Sequence, residues 1–140
     1  MIEDQPAPIS NPVLDRDEIT FSHPSEEEFA HVLDFYGIEW RYEPTTFPLE
    51  WDEDGNVLEA FSPDFYLVQQ DLYVELTTLR RRLMRLKHRK IRRLKELYPD
   101  VNIRLWNRSD FERFLERFGI DSRREHLVGR EALEQHDARS

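Results

Sequence analysis

The sequence predicts a single α/β domain, and three observations carry that prediction. Two runs of strand character, Leu72 to Thr77 and the alternating Val101, Ile103 and Leu105, lie on either side of a helical pattern from Leu83 to Tyr98. A strand, a helix and a strand in that order form a crossover between parallel strands of one sheet, right-handed as a rule. Ahead of them, Phe47, Leu49 and Trp51 alternate, Asp52-Glu53-Asp54-Gly55 supplies turn chemistry and Val57 to Phe61 returns, which predicts a hairpin. Finally, 140 residues with 39% apolar and 12% aromatic side chains suffice for one core and are too few for two.

Each element follows from local pattern. Residues 1–22 contain three prolines and little periodicity and are expected to form a flexible acidic arm with little order, followed by a folded domain over 23–120 and a polar tail over 121–140. Ser25 and Glu28 have capping-box spacing, and Phe29, Val32, Leu33 and Tyr36 then recur at helical spacing until Gly37. Ile38, Trp40 and Tyr42 alternate as a short strand that Pro44 ends. Beyond the hairpin, Phe65-Tyr66-Leu67 and Leu72 to Thr77 read as strands, the second central in its sheet. The helix that follows carries Leu83, Leu86, Ile91, Leu94 and Leu97 on one stripe and stops at Pro99. A last helix, capped by Ser109 or Asp110, runs through Phe111, Phe114, Leu115 and Phe118 to Gly119.

Composition narrows the chemistry. There is no cysteine, so disulfide frameworks, thiolate zinc sites and cysteine nucleophiles are excluded. The acidic Met1-Ile2-Glu3-Asp4 start and the lack of a long apolar run point to a cytoplasmic protein that stays off membranes. Four glycines form no phosphate-cradling loop, and His23, His31, His88, His126 and His136 show no ligand spacing. The net charge of −9 is unevenly spread: Arg80 to Lys95 holds ten bases and no acid, so the remainder, with ten bases against 29 acids, carries −19. Such a strip suits phosphate, which Lys and Arg neutralise. Read more plainly, it is a solvated basic face paired with the acidic half of the chain.

The carboxylates with chemical context are Asp64, after Pro63, and Glu75, ten intervening residues later and flanked by Val74 and Leu76. A charge in a half-buried strand is costly unless it is paired or binds a cation, and hard divalent ions take carboxylate oxygens from fixed positions. Two adjacent strands can supply both, with the Leu76 carbonyl as a third ligand. Against this, Asp71, Tyr73, Glu75 and Thr77 share one face by parity, and an ordinary half-exposed strand would turn Glu75 to water.

The succession of a Glu-bearing helix, Trp40-Arg41-Tyr42-Glu43-Pro44, Ser62-Pro63-Asp64-Phe65-Tyr66-Leu67 and Asp71-Leu72-Tyr73-Val74-Glu75-Leu76 resembles the PD-(D/E)XK, restriction-endonuclease-like nuclease superfamily over about residues 25–106. The resemblance implies an αβββαβ core with a mixed central sheet flanked by helices. It also implies magnesium, with manganese able to substitute, held by Asp64 and Glu75. The family's lysine two residues after the Glu is here Thr77, so Lys87 and, second to it, Lys90 on the following helix are the candidates for its role. Glu28 is the candidate for the helix-one Glu near the metal, with Glu27 and Glu43 as substitutes. Arg80, Arg81, Arg82, Arg85, Arg89, Arg92 and Arg93 would grip phosphates through their planar forks. The expected activity is cleavage of DNA. An inactive nuclease-fold module that docks nucleic acid or an acidic protein is the alternative, and a third reading makes the acidic arm an intramolecular cover over the basic helix. A homodimer or a protein partner is compatible with each.

Overall fold

The computed structural model describes residues 6–77 and 81–119, and for Arg81 the backbone alone. The described residues fall into two units that divide after Trp106. The first contains, in order, β1 (Ile9–Ser10), a 3-10 turn (Arg16–Glu18), α1 (Pro24–Phe35), β2 (Trp40–Tyr42), β3 (Thr45–Trp51), β4 (Val57–Phe61), β5 (Phe65–Leu67), β6 (Leu72–Leu76), α2 (Arg81–Leu97) and β7 (Ile103–Trp106). In the second, α3 spans residues 108–119. The α/β class is therefore present. No helix among the described residues is long and apolar enough to cross a membrane.

Four strands form a mixed sheet in the order β2-β5-β6-β7, in which β2, β5 and β6 pair antiparallel and β6 runs parallel to β7. The parallel pair is the one the strand-helix-strand pattern predicts, and β6 is an interior strand as expected. Successive side chains alternate faces. Phe65 and Val74, paired across β5 and β6, lie on the face toward α1, where the Phe29 ring stands 4.8 Å from that of Phe65. Tyr66 and Tyr73 lie on the other face, their rings 4.6 Å apart. Phe47 of β3 packs there against both Tyr73 and Tyr98, at 5.3 and 5.1 Å, within a core completed by Leu49, Phe61, Ile91, Leu94 and Ile103. The layers are α1, the four-stranded sheet, then α2 with the β3/β4 hairpin.

That hairpin forms as its alternation predicts, with Phe47 opposite Phe61 and register shifts on either side of Glu50. Asp52 closes the turn by accepting the N–H groups of Asp54 and Asn56, and Gly55 takes the positive φ of 87°. Pro48 sits at the irregular stretch, where a strand tolerates a missing donor, and its carbonyl accepts the Tyr98 hydroxyl at 2.8 Å.

Four readings are corrected. The cap of α1 is His23, whose Nδ1 accepts the Ser25 N–H, with Pro24 in the first turn, so Ser25 and Glu28 form no capping box. The buried face of α1 is Glu26, Phe29, Ala30 and Leu33, the predicted spacing set three residues earlier in the chain, while Tyr36 is 39% exposed. Leu83 and Leu86 of α2 are 41% and 42% exposed, because the helix meets the core further along, through Ile91, Leu94 and the partly buried Leu97. Asn107, not Ser109 or Asp110, caps α3, exchanging bonds with Asp110.

Residues 6–22 also differ from an arm with little order. Ile9 and Ser10 pair with Thr46 and Thr45 of β3, and the three strands β1-β3-β4 form a second sheet. Asn11 donates from Nδ2 to the Glu43 carbonyl and to Thr46 Oγ1 at 2.9 and 3.0 Å. Phe21 joins the rings of Tyr42 and Phe65, at 4.8 and 6.2 Å. The tail over 121–140 lies outside the described residues.

Candidate functional site

The β5/β6 register pairs Phe65 with Val74, so one further step sets Asp64 opposite Glu75. Directly opposed like charges repel. The chain offsets this with backbone donors: the Asp64 N–H donates to Glu75 Oε1 at 3.0 Å, and the Leu76 N–H donates to Asp64 Oδ2 at 2.9 Å. Both carboxylates are buried, at 7% and 6% exposure, so Glu75 does not face water. Burial holds the Asp64 carboxyl well above the usual carboxylate range, and the charge of Glu75 adds to the rise. Glu75 is also raised by burial, against the opposing pull of Lys87.

Lys87 comes from α2 and lies over this pair. Its Nζ is 3.1 Å from Glu75 Oε2 and donates to the Leu76 carbonyl at 2.5 Å. Thr77, just past the end of β6, continues the parallel ladder through its N–H to the Trp106 carbonyl. Lys90, one turn-fraction further on, is half-buried and its field acts on Glu59 instead.

The acidic residue that α1 sends to this place is Glu26, not one of the expected Glu28, Glu27 or Glu43. It is 9% exposed, accepts the Tyr42 hydroxyl at 2.6 Å and the Ser22 N–H at 3.1 Å, and its charge raises both Asp64 and Glu75. Burial and the bond to Glu26 push the Tyr42 phenol up in turn. Glu43 stands near as well: its N–H donates to the Asp64 carbonyl, its φ is 43°, and burial followed by the charge of Glu26 raises its carboxyl. A non-glycine residue in that region is held there by its surroundings, here by Asn11 and Asp64. Glu28 points away from the site; it is exposed and lines a shallow groove on the outer side of α1 with Glu27, His31 and Phe35. The acid that α1 brings beside the carboxylate pair is therefore Glu26 and not Glu28. The signal was present in the sequence, since Glu26 precedes Phe29, Ala30 and Leu33 by three, four and seven residues.

The arginines divide. Arg82, Arg85 and Arg92 are exposed and make no ion pair among the described residues. Arg89 pairs with Glu59 at 2.8 Å, and Arg93 donates to the Leu49 carbonyl at 3.3 Å and pairs with Glu96 at 3.5 Å. Arg80 and the side chain of Arg81 lie outside the described residues.

Two carboxylates from neighbouring strands and the Leu76 carbonyl are hard oxygen donors of the kind a divalent cation takes, and the raised carboxyls are groups a cation would relieve. No cluster of three or more His, Cys, Asp or Glu side chains arranged to hold a metal occurs among the described residues. The Lys87 ammonium now bridges two of those three donors. Comparison of the chain with protein-family models, curated proteins and solved structures gave no match.

Proposed function

We propose that this chain is a metal-dependent phosphodiesterase that cleaves DNA, built on a restriction-endonuclease-like core. The observation that carries the reading is the reach of Lys87 from α2 to Glu75 and the Leu76 carbonyl, beside Asp64. A carboxylate pair plus a lysine is the set that the resemblance to PD-(D/E)XK nucleases calls for, and the lysine arrives from the helix that follows the strand. The order α1, β2, β5, β6, α2, β7 also follows an αβββαβ core, with the β3/β4 hairpin inserted after its first strand.

On this reading Asp64, Glu75 and the Leu76 carbonyl hold magnesium or manganese. Such an ion lowers the pKa of bound water and stabilises charge on the leaving oxygen. Lys87 donates to and orients the attacking water, giving up one of its two present bonds to do so. Glu26, fixed by Tyr42 and Ser22, keeps the local field negative and favours a cation over an anion at the centre. Arg82 and Arg85, on the exposed start of α2, meet the phosphates on either side.

The test is cleavage of labelled single-stranded, duplex and branched DNA and RNA with magnesium or manganese, beside Asp64→Ala and Glu75→Ala. Cleavage lost in both variants supports the proposal. Salt-sensitive binding with no cleavage under either metal supports instead a docking module in which Lys87 is the permanent counter-ion of Glu75, a reading that the existing ion pair favours.

A further inference from the structure

The two exposed leucines of α2 are not placed at random on its surface. Leu83 precedes Lys87 by four residues and Leu86 precedes Lys90 by four, so both lie on the stripe that continues into Ile91 and Leu94. Along the second half of α2 that stripe is buried against β3 and β4; along the first half it remains open at 41% and 42% exposure. Leu83 is therefore the neighbour, one turn toward the helix start, of the lysine that touches Glu75. The two leucines thus leave an open apolar strip on the first half of α2, with the exposed Arg82 and Arg85 next to them in the chain.

A fully paired duplex presents phosphates and sugars along its backbone and keeps its base faces stacked inside. It complements the arginines and leaves the leucines wet. A strand with unpaired bases presents both, since phosphate repeats alternate with apolar base faces free to lie on a hydrophobic surface. We propose that the substrate of this site is DNA containing unpaired bases, with Arg82 and Arg85 taking the phosphates and Leu83 and Leu86 taking the base faces next to the scissile bond. The inference rests on the phosphodiesterase reading and names its substrate class. Charge selects the occupant: the described part of α2 up to Lys95 contains no acid, so an anionic partner is favoured, and among anionic partners the leucines favour one with exposed apolar faces.

The experiment measures binding of the full chain, with magnesium and at fixed salt, to a paired DNA duplex and to the same duplex with an internal unpaired stretch, and cleavage of both. Tighter binding of the unpaired substrate by about tenfold is expected, the order that covering the open area of two leucines supplies. Leu83→Gln/Leu86→Gln, which keeps side-chain length and helix propensity, brings the ratio of the two affinities close to one, with circular dichroism checking the fold. Arg82→Ala/Arg85→Ala weakens both substrates together and leaves the ratio in place. Equal binding of the two by the unaltered chain, or a ratio that survives in the leucine variant, overturns the inference while cleavage still upholds the phosphodiesterase reading. Absence of DNA binding and of cleavage on every substrate overturns both.

Discussion

Lys87 is the residue at which strand and helix chemistry meet. Its side chain is 21% exposed and that of Glu75 8%, so removing it leaves a buried carboxylate without its counter-charge. Breaking one side of such a pair costs on the order of 3 kcal/mol. Lys87→Ala is therefore expected to lower the unfolding free energy in urea by that measure and, on the proposed function, to abolish cleavage, whereas Lys87→Arg keeps most of the stability; equal stability of Lys87→Ala and the unaltered chain would mean that the pair contributes nothing. Tyr42 acts at one remove. Its hydroxyl bonds to Glu26 at 2.6 Å, and deleting a bond to a charged group costs about 2 kcal/mol, so Tyr42→Phe should lower stability to that extent in chemical denaturation. Glu75 stands out in the sequence because an acid between Val74 and Leu76 contradicts its surroundings, whereas Asp64 is picked out by its place after Pro63 in the segment that carries the resemblance. Glu26 could not be read once Val32 and Tyr36 had set the phase of α1; with Ala30 counted as apolar, the same arithmetic places it on the buried face.

Helix α2 divides into a packed half and an open half, and its arginines divide by whether an acid or a carbonyl of the fold engages them. Arg89 and Arg93 are engaged with Glu59, Glu96 and the Leu49 carbonyl, while Arg82 and Arg85 are exposed. Replacing Arg82 or Arg85 by Ala should each reduce the salt dependence of DNA binding by about 0.9 in log–log slope, the value for one phosphate contact on B-form DNA. Arg89→Ala should leave that slope where it was, and a slope lowered as much by Arg89→Ala as by Arg85→Ala would remove the distinction between the halves. The strands and the hairpin were legible at this scale because period-two alternation, Asp-Gly turn chemistry and Pro99 are local signals. What was not legible depends on distant partners. Ile9–Ser10 is too short to show a period, and it becomes a strand only because β3 offers it Thr45 and Thr46. Leu83 and Leu86 look like core by spacing, and the sequence does not say where along α2 the sheet stops covering it.

For the molecule as a whole, the buried carboxylates make metal-free stability a function of pH. Asp64 and Glu75 are both held above the ordinary carboxylate range, chiefly by burial, so between roughly pH 4, where free carboxylates titrate, and their raised folded values the native state binds more protons than the unfolded chain. Stability changes with pH in proportion to the protons bound unfolded minus those bound folded, which here is negative. Stability from this source is therefore greatest below the unfolded value and falls as pH rises through the folded values. Asp64→Asn removes one of the two charges while leaving an oxygen for the Leu76 N–H. It should be more stable than the unaltered chain at pH 8 by on the order of 1 kcal/mol, the scale of one unit of pKa shift, with the gap closing toward pH 4. The net charge of −9 also favours the compact state at lower pH, but it changes by only one unit in the variant, so the difference between the two proteins isolates the pair. A ligand that binds only the folded state raises stability with its concentration. Magnesium should raise the thermal midpoint of the unaltered chain at pH 8 and leave that of Asp64→Asn in place. If both proteins respond alike to magnesium, the ion binds elsewhere; if Asp64→Asn gains nothing at pH 8, the opposed carboxylates are already compensated by Lys87 and the two backbone donors.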